Sequence, residues 1–110
     1  MTIIEQCRAF LNNKELQRHW VKDKGVQIYF RKSNKWLNDG KVTALEIGNI
    51  DIKPTGQGIF TNLIREIHVL NPYDVTFVQN VNPRFRSWFI RNFWEEFYQQ
   101  SEYHYYLWTT

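Results

Sequence analysis

Residues 48–61 of the chain read GNIDIKPTGQGIFT. The segment joins the apolar alternation typical of a strand, a proline with a glycine-rich turn, and the start of an amphipathic helix. Two of the chain's five glycines, Gly56 and Gly58, stand in that turn. Unpaired backbone N–H groups at a helix N-terminus attract phosphate, and glycine lets the backbone approach an anion closely. The segment therefore predicts an anion-binding turn; the alternative is a simple turn into a helix cap.

The strand before this turn carries a defect in its alternation. Leu45 and Ile47 are apolar at odd positions, whereas Ile50 and Ile52 are apolar at even positions. A slip of one residue predicts a β-bulge at Gly48-Asn49, and bulges are over-represented beside binding sites.

Composition and charge limit the class of protein. The 110 residues predict a single domain (1–110), and 43% hydrophobic residues with 17% aromatics are ample for a packed core. There is no apolar run of about 20 residues to span a bilayer and no secretory signal at the N-terminus, so we expect a cytoplasmic, soluble protein without membrane contact. The single cysteine, Cys7, is expected in the core rather than as a nucleophile. The net charge of +3 favours an anionic ligand.

The first half of the chain predicts one helix and two strands. A capping box, Thr2 with Glu5, predicts a helix over residues 2–12. A further helical turn is predicted at Glu15–Val21. A strand follows at residues 26–31, and Ser33–Gly40 is interpreted as a turn region in which Asp39-Gly40 forms a hairpin turn before the bulged strand.

The second half alternates helices and strands. Apolar spacing predicts a helix over residues 58–70 and a strand over 74–81. Asn82 is predicted as the N-cap of an aromatic-rich helix over 84–100, and residues 103–109 as a final strand. The order α, β, β, α, β, α, β indicates an α/β or α+β fold with a central sheet flanked by helices.

Two segments resemble a known family. IDIKPTGQGIFTNLI (50–64) resembles the acetyl-CoA-binding signature of the GNAT (GCN5-related N-acetyltransferase) superfamily, Q/R-x-x-G-x-G/A after a bulged strand. VTFVQNVNPRFRSWFIRNFW (75–94) is similar to the strand and aromatic helix that follow it in that family. The resemblance covers roughly residues 42–108. Its shortened N-terminal part also resembles acetyltransferase-like proteins of bacteriophages, which often act on host proteins.

The resemblance implies a site for acetyl-CoA as co-substrate. In the family, the bulged strand separates from the next parallel strand and the pantetheine arm lies in the gap. The implied contacts are the backbone of Ile50, Asp51 and Ile52, the pyrophosphate turn Thr55, Gly56, Gln57, Gly58, Ile59 and Phe60, and Asn82 on the pantetheine arm. The sequence departs from the motif in having Thr55 at the Q/R position and Phe60 at the final G/A position.

The implied reaction is direct attack of an amine, on a protein or a small molecule, in a ternary complex with acetyl-CoA. Glu46 is the candidate general base; the alternative is a solvated carboxylate on the strand's polar face, and Asp51 is a weaker candidate. Phe89 stands where many members have a tyrosine that protonates the departing thiolate. Candidate substitutes are Tyr98, Tyr103, Tyr105 and Tyr106.

Two other readings compete with the enzyme. One is a GNAT-like binding module without turnover, acting on a protein or nucleic-acid partner, because Phe60 and Phe89 depart from the family pattern. The other is direct nucleic-acid binding by the arginines of RFRSWFIRNFW (84–94), although helical spacing of its aromatics favours a core role. We find no spacing typical of a metal site. Homodimers are common in the superfamily, and the aromatic final strand is a candidate for pairing across such an interface.

Overall fold

The computed structural model of the chain describes residues 1–38, 40–52, 57–79, 83–93 and 96–109. Helix α1 spans Ile3–Asn12 and confirms the predicted capping box. The Glu5 backbone N–H donates to Thr2 Oγ1 (3.1 Å) and the Thr2 N–H donates to Glu5 Oε1 (3.1 Å). This reciprocal pair satisfies two donors that would otherwise be unpaired at the helix N-terminus.

Three strands follow in antiparallel succession: β1 (Arg18–Asp23), β2 (Val26–Leu37) and β3 (Gly40–Ile52). The predicted helical turn at Glu15–Val21 is wrong, because residues from Arg18 onward pair with β2 through a two-residue hairpin turn. Lys24 (φ 48°) and Gly25 (φ 82°) both have positive φ, as a type I′ turn requires.

The predicted turn region at Ser33–Gly40 is also wrong for most of its length. Strand β2 continues to Leu37, which pairs with Gly40, so Gly40 begins β3 instead of standing in the turn. Asn38, the first residue of the connection, has a φ of 50°. Residue 39 lies outside the described residues. The sequence did not predict this part of β2 because the residues after Phe30 are mostly polar. Arg31, Ser33 and Lys35 contact Glu46 there instead of forming an apolar face.

The rest of the chain completes a six-stranded mixed sheet. Its elements are α2 (Gln57–Leu70), β4 (Val75–Gln79), α3 (Pro83–Phe93), β5 (Tyr98–Ser101) and β6 (His104–Trp108). The strand order is β1-β2-β3-β4-β6-β5, with β3 and β4 parallel and the other pairs antiparallel. Helix α2 is the crossover between the two parallel strands.

The predicted helix over 84–100 is too long. Helix α3 ends at Phe93, whose carbonyl accepts from the N–H groups of Glu96 (2.9 Å) and Phe97 (3.1 Å). Residues 98–101 form β5 instead, and the Tyr98 ring stacks on Tyr106 of β6 at 5.5 Å. Strand β6 therefore has a neighbour on each side and is not an open edge. The pairing of β6 with a second copy, which the sequence suggested, is therefore wrong, because β5 occupies that edge of β6.

The described side chains divide between two faces of the sheet. The helix face holds the main core, to which all three helices contribute. Its members include Cys7, Phe10, Ile28, Phe30, Leu45, Ile47, Ile64, Ile67, Val78, Phe89 and Tyr105. The opposite face, here called the open face, carries a smaller cluster of strand residues only: Leu37, Ala44, Val75, Phe77 and Tyr106. Among the described residues, no helix side chain belongs to this second cluster.

Candidate functional site

The bulge predicted in β3 is present and lies opposite Ile28. Gln27 pairs with Asp51 and Tyr29 pairs with Gly48, so three steps along β3 match two steps along β2. The extra residue falls immediately after Gly48. A Cβ added at Gly48 would lie 3.3 Å from Gln79 Oε1 and 3.8 Å from Tyr29 Cδ2, so the positions on β2 and β4 beside the bulge are close in space.

The described ladder between β3 and β4 ends at the bulge. Their parallel ladder runs from Ala44↔Val75 to Ile47↔Val78 and goes no further among the described residues, although β3 continues to Ile52. On its β4 side, the backbone of residues 48–52 therefore has no described ladder partner. Strand β3 stays paired with β2 as far as Ile52↔Val26, so the strand is held in place. Its other edge has no ladder partner among the described residues from 48 to 52 and is here called the open edge. Such an edge offers N–H and C=O groups to a ligand.

Helix α2 begins close to this open edge. Its first residue is Gln57, and its first turn contains no acidic residue that would compete with a bound anion. The predicted pyrophosphate turn is thus divided: residues 57–60 form the first turn of α2, whereas Thr55 and Gly56 lie outside the described residues. The side chains of residues 49–61 also lie outside the description, and Asn82 is not described.

A cavity of about 370 Å³ lies on the helix face. It lies between α1, the β1–β2 turn and α2, and Ile3, Val26 and Leu63 contribute apolar side chains to its wall. Val26, which lines this cavity, is the strand partner of Ile52, the last residue of β3.

Glu46 lies on the open face, one residue before the point where β3 and β4 part. It is only 3% exposed, so it is not the solvated carboxylate that the sequence allowed as the alternative. Its Oε2 accepts from Arg31 Nε (2.9 Å) and Nη2 (2.7 Å) and from Ser33 Oγ (3.2 Å), and Lys35 Nζ lies 3.2 Å away. The Lys35 ammonium also lies 4.5 Å from the centre of the Phe77 ring.

Sequence reasoning missed these partners of Glu46. Arg31 faces Glu46 directly across β2 and β3, and Lys35 lies further along the same face of β2. The register that brings them together depends on where the hairpin turns, and the misplaced turn concealed it. The available signal was the alternation Tyr29, Arg31, Ser33 and Lys35, whose period of two matches that of a strand.

Phe89 lies in the main core and not in an accessible cleft. It is fully buried, and its ring contacts Phe97 (5.1 Å) and Tyr105 (5.3 Å). Of the four candidate tyrosines, the structure therefore places Tyr105 beside Phe89. Tyr105 also pairs with Val78, the last residue of β4 in the parallel ladder.

The other predicted groups are less close to the β3–β4 opening. Tyr98 stacks on Tyr106 near the sheet edge, and Tyr103 lies 5.1 Å from the Arg86 guanidinium. Arg86 is also within 3.4 Å of Glu102 Oε1, so this arginine of the proposed nucleic-acid segment is engaged within the chain. The rings of Phe89 and Phe93 are buried in the main core, which confirms the core role predicted for these two aromatics. The side chains of Phe85 and Trp88 lie outside the description.

Cys7 is fully buried, which confirms its predicted core position. Burial raises the pKa of its thiol to about 12. Among the described residues there is no cluster of three or more His, Cys, Asp or Glu side chains arranged to hold a metal ion. None of the helices in the described part of the chain is long and apolar enough to cross a membrane.

Comparison with known proteins identifies the fold. No protein-family model matches the chain, and no curated protein does. The structure is similar to that of the KacTA–DNA complex, with a TM-score of 0.54, 13% identity, and coverage of 82% of this chain and 64% of that one. It is also similar to a mutant of the AtaT toxin bound to acetyl-CoA and the C-terminus of the antitoxin AtaR, with a TM-score of 0.51, 14% identity, and coverage of 76% and 58%.

The chain thus spans less than two thirds of the length of each of these structures. At such low identity the similarity concerns the fold. It confirms the predicted GNAT-like architecture, a mixed central sheet flanked by helices. The bulge is seen in the register of β2 with β3.

Proposed function

We propose that the chain is an N-acetyltransferase that transfers an acetyl group from acetyl-CoA to an amine by direct attack in a ternary complex. The observation that carries the proposal is the open edge of β3, where the bulged strand leaves β4 after Ile47 and Val78. The acetyl-CoA bound to AtaT, a neighbour in fold, supports the choice of co-substrate.

Acetyl-CoA fits the open edge because its pantetheine arm carries amides that pair with strand backbone. The groups proposed to hold it are the backbone of Ile50, Asp51 and Ile52. The N-terminus of α2 with the turn at residues 55–60 would hold the pyrophosphate, and Asn82 would contact the pantetheine arm. When bound, the molecule supplies a thioester as the acetyl donor.

Glu46 is proposed to accept the proton of the attacking amine. All of its described contacts fall on Oε2, whereas Oε1 has no hydrogen-bond partner among the described residues. The clamped Oε2 fixes the side chain, and Oε1 is the oxygen left to take a proton, directly or through water. Arg31 and Lys35 then act as positioning residues, since they contact Glu46 and orient it.

Tyr105 is proposed as the acid that protonates the departing thiolate. It lies beside Phe89 and pairs with Val78, the last residue of β4 in the described ladder with β3. It is 6% exposed, and its hydroxyl has no hydrogen bond to any described residue. A buried tyrosine hydroxyl usually has a partner, so a hydroxyl without one is available to a ligand.

The test is a calorimetric titration with acetyl-CoA and with CoA, using the unaltered protein and a Gly58→Asp variant. This substitution adds a side chain and a negative charge in the first turn of α2, where the pyrophosphate is proposed to lie. The matched control is Val69→Asp, which adds the same charge at the other end of α2 on an exposed position. We expect binding that Gly58→Asp abolishes and Val69→Asp leaves intact.

Absence of binding to either ligand would refute the proposal and favour a binding module that has the fold without its co-substrate. If acetyl-CoA binds, turnover by Glu46→Gln tests the base. Loss of turnover at unchanged acetyl-CoA affinity supports the role, and full turnover contradicts it.

A further inference from the structure

We infer that the open face carries a binding site for a phosphate monoester with a planar ring, formed by Arg18 and Arg31 with Trp20 beside them. Given the proposed function, on which this part rests, the phosphate belongs to the acceptor. The phosphate site itself is argued from β1 and β2 alone and can be tested without any acetyl transfer.

The first observation is a pair of like charges. Arg18 of β1 and Arg31 of β2 are direct partners across the two strands, so both side chains emerge on the same face. Like charges directly opposite each other destabilise a sheet unless an anion lies between them. Arg18 is exposed and forms no ion pair with any described residue.

The second observation is the orientation of Arg31. Glu46 holds the Arg31 guanidinium through Nε and Nη2. The other edge of this guanidinium points away from Glu46, and the Arg31 side chain is 46% exposed. With Lys35 included, the three cations exceed the single carboxylate of Glu46 by two charges. A phosphate monoester carries about −1.5 to −2 charges near neutral pH, which matches this excess, and guanidinium groups bind its oxygens in pairs.

The third observation is the aromatic surface next to the arginines. A shallow surface depression, open to solvent, is lined by Arg18, His19, Trp20 and Tyr29. The indole of Trp20 is 46% exposed and lies 5.1 Å from the Tyr29 ring, centre to centre. An exposed indole supported by a second ring is a platform on which a planar group stacks. The arrangement therefore selects a phosphate attached to an aromatic or heterocyclic ring.

The site lies in line with the proposed reacting groups. Arg18, Arg31 and Glu46 are consecutive cross-strand partners on β1, β2 and β3. Neighbouring strands are about 4.8 Å apart, so a phosphate held between β1 and β2 lies roughly 10 Å from the parting of β3 and β4. The acceptor would thus carry its phosphate about 10 Å from its amine.

The experiment is an NMR shift titration with uridine 5′-monophosphate as the probe, compared with uridine and inorganic phosphate, and repeated with saturating CoA. We expect the monophosphate to bind roughly tenfold more tightly than uridine, and to lose about tenfold in affinity in Arg18→Gln. The matched control is Lys41→Gln, which removes an exposed positive charge at the start of β3 and should leave the affinity unchanged. A Trp20→Ala variant tests the stacking platform in the same way.

Equal affinity for uridine and its monophosphate, or an Arg18→Gln variant that binds as before, would overturn the phosphate site. Inorganic phosphate binding as tightly as the monophosphate would overturn the planar ring. Competition by CoA would show that the probe occupies the co-substrate site and would also overturn the inference. A protein that binds the monophosphate but not acetyl-CoA would leave the phosphate site standing and refute the proposed function instead.

Discussion

A Glu46→Gln substitution keeps the shape of the side chain but removes the negative charge that pairs with Arg31 and Lys35. The carboxylate is 3% exposed and accepts two bonds from Arg31, while the Lys35 side chain is 19% exposed. Removing one partner of a buried ion pair costs about 3–5 kcal/mol. Arg31 is 46% exposed and regains water, so we discount this to about 2–3 kcal/mol.

The chain provides its own control for this estimate. Arg65 and Glu96 form a bridge of 2.8 Å, nearly the 2.7 Å of Arg31 and Glu46, but their side chains are 48% and 45% exposed. Glu96→Gln is therefore expected to cost only about 0.2–1 kcal/mol. The two bridges share the residue pair and nearly the same N–O distance, and they differ in burial and in the additional contacts of Glu46 with Ser33 and Lys35.

The assay is urea unfolding followed by circular dichroism. We expect Glu46→Gln to lower the midpoint at unchanged slope, and the melting temperature to fall by roughly 10–20 °C. A second variant, Glu46→Gln with Lys35→Met, should recover part of the loss because the unpaired cation is removed as well. If Glu46→Gln costs no more than Glu96→Gln, the cluster does not stabilise the sheet and the reasoning is wrong.

Four further predictions concern other parts of the chain. Burial lowers the pKa of His68 below its ordinary value of 6.5, and a weaker hydrogen bond with the Trp108 backbone opposes this shift. Near pH 6.5 the unfolded chain therefore binds more protons than the folded one, so the urea midpoint should fall as the pH drops through 6.5. A His68→Gln variant should flatten this dependence. Cys7 should react with iodoacetamide at pH 8 only after denaturation, and rapid labelling of the native protein would contradict its buried position. Gly48→Ala should cost less than about 1 kcal/mol in urea unfolding, because the atom nearest the added Cβ is the flexible end of Gln79 at 3.3 Å and the Tyr29 ring at 3.8 Å is in ordinary contact; a large loss would show that the bulge requires glycine. Tyr105→Phe should lower kcat at unchanged acetyl-CoA affinity, and an unchanged kcat would remove the proposed acid.

The elements predicted correctly are those in which the spacing of apolar residues fits a helix or a strand over most of the element's length. Strand β4 and helix α2 have such patterns, and the parity slip in β3 located its bulge. Strand β5 was missed because all four of its residues are exposed and it has no apolar side to alternate. Strand β1 was missed because it is an edge strand with Val21 as its only fully buried residue among the described positions.

The contacts of Glu46 could not be predicted from the sequence, for a different reason. The sequence placed Glu46 on the strand but left its neighbours undefined, because they depend on the pairing register of β2 with β3. A shift of one residue would turn Arg31 and Lys35 to the other face of the sheet. Tyr105 could be chosen among four tyrosines only once its contact with Phe89 was known.

The short parallel ladder between β3 and β4 has a consequence for the order of folding. Strands β2 and β3 form a local hairpin. The four residue pairs between β3 and β4, by contrast, close a long loop that contains the whole of α2. Closing a longer loop costs more entropy, so we expect the hairpin to form early and the β3–β4 junction late. The last contacts to form then border the proposed acetyl-CoA site, and a ligand bound there would slow unfolding by holding the two halves of the sheet together.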